Sequence, residues 1–167
     1  LSPMRGAGKL GCVLVQFPPT FAANEMGNLE KFLKELPGDV RFAVEFRHPT
    51  WEIPRTSELL THYGICWATG DYGVDPFPIH RTAGFLYLRL IGVHGQFGTH
   101  ERERIDMTER LAWWVEQATA PELRVETIYL FANNDYAGHS PETIRRLRRL
   151  LGVPVEPPVR GEDQVGL

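Results

Sequence analysis

Glu45, Arg47 and His48 fall within four residues of one another, in the stretch VEFRHPTW from Val44 to Trp51. They close an apolar run, VRFAVEF, that has the length and β-branched, aromatic content of a buried strand. Charges at the end of a buried strand form either a local ion pair or a site. A carboxylate beside a guanidinium and an imidazole can move protons, hold an anion or bind a metal. Glu45 is read as a general acid or base whose pKa burial would raise. The plain alternative is an ion pair with Arg47 or Arg89, in which a carboxylate flanked by two guanidiniums stays ionised and anchors them. His48 is an acid/base or metal-ligand candidate, or a loop histidine bonded to backbone. Pro49 restricts His48 to extended backbone, and Trp51 can roof the site.

Four further runs resemble strands: GCVLVQF (11–17), ICWATGD (65–71), GFLYLRLI (84–91) and ETIYLFAN (126–133). Side chains alternate between faces along a strand. Each run has one apolar face and one mixed face, and polar residues cluster at the C-terminal ends: Gln16, Glu45, Asp71, Arg89 and Asn133. Parallel α/β proteins build ligand sites at that end. Arg47 and Arg89 have the geometry to clamp a phosphate or carboxylate; otherwise they neutralise Glu45 and Asp71. Asn133, Asn134 and Asp135 could fix a polar ligand through amide hydrogen bonds, though Asn-Asn-Asp is also a good turn sequence. His139 and the start of the following helix add an anion site, where free N–H groups point outward. Asp71, Glu45 and a histidine could together hold a divalent metal. The neighbouring arginines oppose a cation, and no HxH or HExxH spacing occurs. No metal ligand is therefore assigned, and the cofactor is left unknown.

Helical periodicity occupies the intervals. Asn28–Leu36 carries an i, i+3, i+4, i+7 apolar stripe, 55–63 and Met107–Ala118 follow, and Ser140–Leu151 opens Ser-Pro-Glu-Thr, with Ser140 as expected N-cap. Gly152 and Pro154 end that helix. Strand and helix alternate, which implies a parallel sheet with helices outside. Residues 70–82 read as a loop and 153–167 as an irregular tail.

The chain has 167 residues, a net charge of −3 and 43% hydrophobic residues. These values fit one folded domain, or a piece of a larger one, without an overall basic footprint for nucleic acid. Cys12 and Cys66 lie in apolar runs and read as buried free thiols. No apolar run reaches the ~18 residues that span a bilayer, no signal peptide is visible, and the default compartment is the cytoplasm. Trp114 reads as core and Trp113 as surface. Arg145, Arg146, Arg148 and Arg149 read as a solvated helix face, with nucleic-acid contact as the alternative.

The segments LGCVLVQFPPTF, FAVEFRHPTW, FLYLRLIG and LFANNDYAGHSPETIRRLRRLLG together resemble the YecE-like family of TIM-barrel proteins, also called DUF72. The resemblance implies a parallel (β/α)8 TIM-type barrel, here incomplete: residues 1–152 match its last five strands, and the first three have no counterpart. It also implies that Gln16, Glu45, Arg47, His48, Asp71, Arg89, Asn133, Asn134 and His139 belong to a polar cleft. The family often carries a histidine after the Arg-Leu of the seventh strand, where this chain has Ile91; His94 lies three residues later.

The expected activity is that of an acid/base hydrolase, lyase or isomerase acting on a small anionic or phosphorylated substrate. Glu45, His48 and Asp71 are its catalytic candidates. Gln16, Arg47, Trp51, Arg89, Asn133, Asn134 and His139 are its substrate-binding candidates. A nucleic-acid-processing or nucleic-acid-binding protein and a noncatalytic small-ligand binder are the alternatives. A membrane partner is not expected, and the oligomeric state is left open.

Overall fold

The computed structural model describes residues 2–73 and 78–155. Expectations for residues 156–167 of the tail and 74–77 of the loop lie outside the described residues. The order of elements is α1 (Ser2–Gly6), β1 (Val13–Gln16), α2 (Met26–Lys34), β2 (Phe42–Glu45), α3 (Pro54–Tyr63), β3 (Cys66–Trp67), β4 (Thr69–Asp71), β5 (Phe85–Leu90), α4 (Thr108–Ala118), β6 (Thr127–Ala132), α5 (Asn134–Ala137) and α6 (Ser140–Leu150). Short 3-10 turns intervene at 23–25, 49–51 and 121–123. The expected alternation of parallel strands and helices is present.

All strand pairings are parallel, in two three-stranded sheets ordered β1-β2-β3 and β4-β5-β6. The run ICWATGD therefore forms two short strands where the sequence suggested one. Cys66 and Trp67 pair with β2, whereas Thr69, Gly70 and Asp71 pair with β5. Ala68 lies between them and still donates its N–H to Val44 O at 2.8 Å. Thr82 pins the segment from the loop side: its hydroxyl donates to Ile65 O at 2.7 Å and accepts from Trp67 N at 2.8 Å. Among the described residues β3 and β4 adjoin through Ala68, whereas β1 and β6, at the two far ends, each have one strand neighbour. Both therefore present an open edge of the kind that invites further pairing.

Helices α2, α3, α4 and α6 pack on one side of this strand path. Register links Val44 to Trp67 and Thr69 to Leu88, so the face that starts at Phe42 and Val44 continues to Leu86, Leu88 and Leu90. On its first half, Leu29, Leu33 and Leu60 from α2 and α3 bury Phe42, Val44 and Trp67. On its second half, Leu111, Trp114 and Leu147 from α4 and α6 bury the three leucines. Apolar side chains at helical spacing supply this burial, worth about 25 cal/mol per Å² removed from water. The opposite face carries Cys12, Leu14, Ala43, Cys66, Ala68, Phe85, Tyr87 and Tyr129 in a smaller cluster. Burial pushes the thiol of Cys12 up to about 11 and that of Cys66 to about 12. Cys66 is buried as expected, and Cys12 is only partly so.

Helix ends differ from expectation by a residue or two. Ser140 is the first residue of α6 and His139 its N-cap, with Pro141 inside the first turn. The side-chain cap comes from outside the helix, because Asn134 Oδ1 accepts from Ser140 N at 2.9 Å. At the end of β5 the chain turns through Gly92, whose φ is 75°. A Cβ there would lie 2.2 Å from the carbonyl oxygen of Asp135. The tight approach brings the turn after β5 against the turn after β6. Gly92→Ala should therefore lose more than the ~1–2 kcal/mol of a left-handed conformation alone. Urea denaturation checks this, and an unchanged midpoint would show that the two turns are not in contact.

A candidate anion-binding site at the strand ends

Glu45 ends β2 on the face away from the helices and is 2% exposed. A buried carboxylate must find donors or lose its charge, and here donors converge from four parts of the chain. Oε1 accepts from Gln16 Nε2 at 3.1 Å and from the Tyr72 hydroxyl at 2.9 Å. Oε2 accepts from Arg89 Nη1 at 2.5 Å, and Arg47 Nε lies 3.5 Å from Oε1. Gln16 is positioned by register, since it stands directly opposite Glu45 across the β1–β2 pair. Arg89 reaches Glu45 from the second sheet.

Tyr72 falls in residues 70–82, which read as loop, so neither its type nor its spacing marks it as a cleft residue. Its ring crosses Gly70, where a Cβ would stand 2.7 Å from the ring edge. Any larger residue at 70 would push the hydroxyl away from Glu45. Burial, and then the charge of Glu45, push Tyr72 up to about 12. It therefore remains a proton-bearing donor at neutral pH. A glycine two residues before a strand-end tyrosine is the signal that could have identified it.

Above this cluster lies a cavity of about 610 Å³, bounded by Phe46, Arg47, Tyr72, Arg89, His94 and Asn133, among others. The side chains of Arg47 and Arg89 are 40% and 25% exposed, whereas Glu45 is sealed beneath them. The two guanidiniums share this one carboxylate, so the cavity wall carries an excess of positive charge. Such a wall can hold an anion through charge-assisted hydrogen bonds.

The structure brings together Gln16, Glu45, Arg47, Arg89 and Asn133, and it places the other candidates elsewhere. Asp71 is fully buried on the helix side of the sheet. Its register partner is Leu90, whereas Gly70 pairs with Arg89 on the cleft side. Asp71 accepts from Arg110 Nε and Nη2 at 2.7 Å each, Trp114 Nε1 at 2.6 Å, the Tyr136 hydroxyl at 2.9 Å and Gly73 N at 3.0 Å. Burial works against its charge, but Arg110, Trp114 and the remaining donors outweigh it and hold the carboxyl below the usual range. Asp71 and Glu45 lie on opposite faces and cannot share a cation. Among the described residues no three His, Cys, Asp or Glu side chains converge as a metal site would need.

Trp51 is core and does not roof the cavity. It is fully buried, donates from Nε1 to Phe21 O at 2.6 Å and stacks on Phe46 with ring centroids 4.4 Å apart. His48 caps the turn that follows it: Nδ1 lies 3.3 Å from Thr50 N, which donates to it, and 2.9 Å from Thr50 Oγ1. Asn134 is spent on capping α6, and His139 is that helix's N-cap residue. Asp135 ties down the loop after β5, with His100 Nε2 at 3.2 Å, His94 Nδ1 at 3.4 Å and Gly95 N at 3.4 Å. The His100 contact is the main reason its carboxyl is held low. Of the α6 arginines, Arg145 and Arg149 pair with Glu142, and Arg146 pairs with Glu103 and Asp106.

Comparison with known proteins adds to this geometry. A family model described as "Protein of unknown function DUF72" matches residues 1–164. Two Escherichia coli proteins, each called UPF0759 protein YecE, are 26% identical over 173 residues, covering 88% of this chain and 59% of theirs. The crystal structure of a DUF72 family protein from Thermotoga maritima superposes with a TM-score of 0.73 at 27% identity, over 90% of this chain and 61% of that one. One from Enterococcus faecalis has a TM-score of 0.72 at 19% identity, over 92% and 65% of the two chains, and shares the fold. The chain thus spans about 59% of the length of the curated relatives.

The placement of Asp71 has a measurable consequence. Asp71→Ala removes the buried carboxylate on which Arg110, Trp114 and Tyr136 converge and should cost about 3–5 kcal/mol. In the wild type, the contribution of a depressed carboxyl is complete above its unfolded pKa of about 3.9. It is lost as pH falls through the lower folded value, where the unfolded chain binds the extra proton. Urea titrations at pH 7 and at successive values below 4 should show the wild type losing more stability than Asp71→Asn. Parallel losses would remove Asp71 as the source.

Proposed function

The chain belongs to the DUF72 family, and from that premise we propose that it contributes the strand-end cleft of a TIM-type barrel enzyme acting on a small anionic or phosphorylated substrate. Parallel strands, with a helix after β1, β2, β5 and β6, support the barrel reading, as does a cleft at the carboxyl ends of the strands. The observation that carries the ligand reading is the pair Arg47 and Arg89, which flank one cavity while sharing the single carboxylate of Glu45. Arg47 and Arg89 hold the negative charge, and the Asn133 side chain adds an amide at the rim.

Glu45 anchors this arrangement. Its oxygens are taken up by Gln16, Tyr72 and Arg89, which suits charge placement better than proton transfer. In an acid–base step the proton donor is Tyr72, which lines the cavity and bears its proton at neutral pH. His48, turned toward Thr50, takes no part in this reading. The cytoplasm is the proposed compartment, in keeping with two free cysteines and no helix among the described residues long and apolar enough to cross a membrane. Pairing of Arg145, Arg146 and Arg149 with carboxylates supports a small ligand over a nucleic acid.

Isothermal titration with inorganic phosphate tests the reading. Wild type should bind saturably, and more weakly as salt is raised. Arg47→Ala, at an exposed position outside the core, should weaken binding about tenfold or more, the worth of a charge-assisted hydrogen bond. Binding that is absent in the wild type, or unchanged in Arg47→Ala, would overturn the proposal.

A further inference from the structure

Besides its arginines and Tyr72, the cavity is lined by His94. A tight turn carries it there. Gln96 N donates to Val93 O at 3.2 Å, and Gly95, the third residue of the turn, has a φ of 74°, a left-handed value that glycine adopts freely. His94 takes the second position, and its side chain is fully exposed. A ring so placed would ordinarily be free to change rotamer. Here its Nδ1 lies 3.4 Å from Oδ2 of Asp135, whose own side chain is only 12% exposed. Asp135 is itself held, since Gly95 N donates to the same oxygen at 3.4 Å and His100 Nε2 lies 3.2 Å from Oδ1. A carboxylate that faces Nδ1 keeps the proton on that nitrogen and leaves the lone pair of Nε2 free.

We propose that His94, oriented by Asp135, is the proton acceptor of this cavity, and that it takes up a proton when an anion binds at Arg47 and Arg89. This rests on the anion reading above and adds the second group that the ligand meets. The groups around His94 are Asp135 from α5, Arg89 and Asn133 at the ends of β5 and β6, and Arg47 and Tyr72 elsewhere on the wall. Tyr72 keeps its proton at neutral pH, so donor and acceptor are different residues. A space of about 610 Å³ is roughly 10 Å across, no wider than the Debye length at about 0.1 M salt. Charge on one wall is therefore felt at another. An anion arriving at the arginines favours the imidazolium, as Asp135 already does, and His94 becomes a stronger base once the ligand is in place. The ligand class follows: a small anion that carries, away from its charged group, a proton to give up. The bond to that proton breaks, an Nε2–H bond forms, and the electron pair stays on the ligand.

The probe is sulfate, which stays doubly charged between pH 6 and pH 8 and brings no proton change of its own. Calorimetric titration of the wild type near pH 7, in two buffers of different ionisation enthalpy, should show proton uptake as sulfate binds. Affinity should be about threefold or more higher at pH 6 than at pH 8, the scale of one unit charge acting across several Å of water. His94→Gln, at a fully exposed position, should keep the sulfate binding seen at pH 8 and lose both the uptake and the pH dependence. His100→Gln, which changes the histidine on the other oxygen of Asp135, should retain both. Sulfate bound without proton uptake in the wild type, uptake that survives His94→Gln, or uptake lost in His100→Gln would overturn the assignment of His94 and leave the anion site standing. Sulfate that does not bind the wild type would overturn both.

Discussion

One buried carboxylate organises the cleft. Glu45 is sealed at 2% exposure, and an ionised group there is tolerable only if donors replace the water it has lost. Gln16, Tyr72, Arg89 and Arg47 supply them from four separate segments. None of these segments is adjacent to another in sequence except the short step from 45 to 47. The need to satisfy Glu45 thus specifies the β1–β2 register, the path of the chain after β4 and the side on which β5 presents Arg89. The positive wall of the cavity follows from the same need. The groups that neutralise Glu45 outnumber it in charge, and what is left over faces the solvent.

Asp71 performs the corresponding task on the other side of the sheet. Its donors come from α4, from α5 and from its own turn, so it fastens the helix layer to β4. Two carboxylates on the same few strands therefore have separate duties, and alternation of side chains is what separates them. Alternation also explains why the two look alike in the sequence. Each is an acidic residue ending an apolar run, and position along the strand does not distinguish cleft from core. Only the pairing Gly70–Arg89 and Asp71–Leu90 does, and register is a long-range property that no local pattern contains.

The parts of the architecture that rest on local pattern were readable from the chain. The strand runs, the amphipathic helices and the turn residues each follow from short-range periodicity. The family motifs add the cleft members Gln16, Glu45, Arg47, Arg89 and Asn133. The residues that the sequence misplaces are those whose surroundings are settled by packing. Trp51 has an amphipathic ring suited to either roof or core, and stacking with Phe46 and Phe21 takes it inward. His48 and Asn134 are polar residues at turns, where local backbone donors compete with any ligand and here prevail. Tyr72 was hidden by a loop composition that says nothing of where one ring lies.

The break at Ala68 gives the Glu45–Arg89 pair a further meaning. Glu45 belongs to the sheet of β1, β2 and β3, and Arg89 to that of β4, β5 and β6. Their ion pair spans the seam at which one chain segment passes from the first sheet to the second. Tyr72 crosses the same seam, over a glycine that leaves it room. The two arginines of the cleft also come from opposite sides, Arg47 from the end of β2 and Arg89 from β5. Their spacing is therefore set by how the sheets meet, and not by either sheet alone. An anion that bridges Arg47 and Arg89 would be sensitive to the angle between the sheets, and would in turn hold that angle. Binding of such an anion would couple to stability through the seam, since a ligand that favours one geometry stabilises it by mass action.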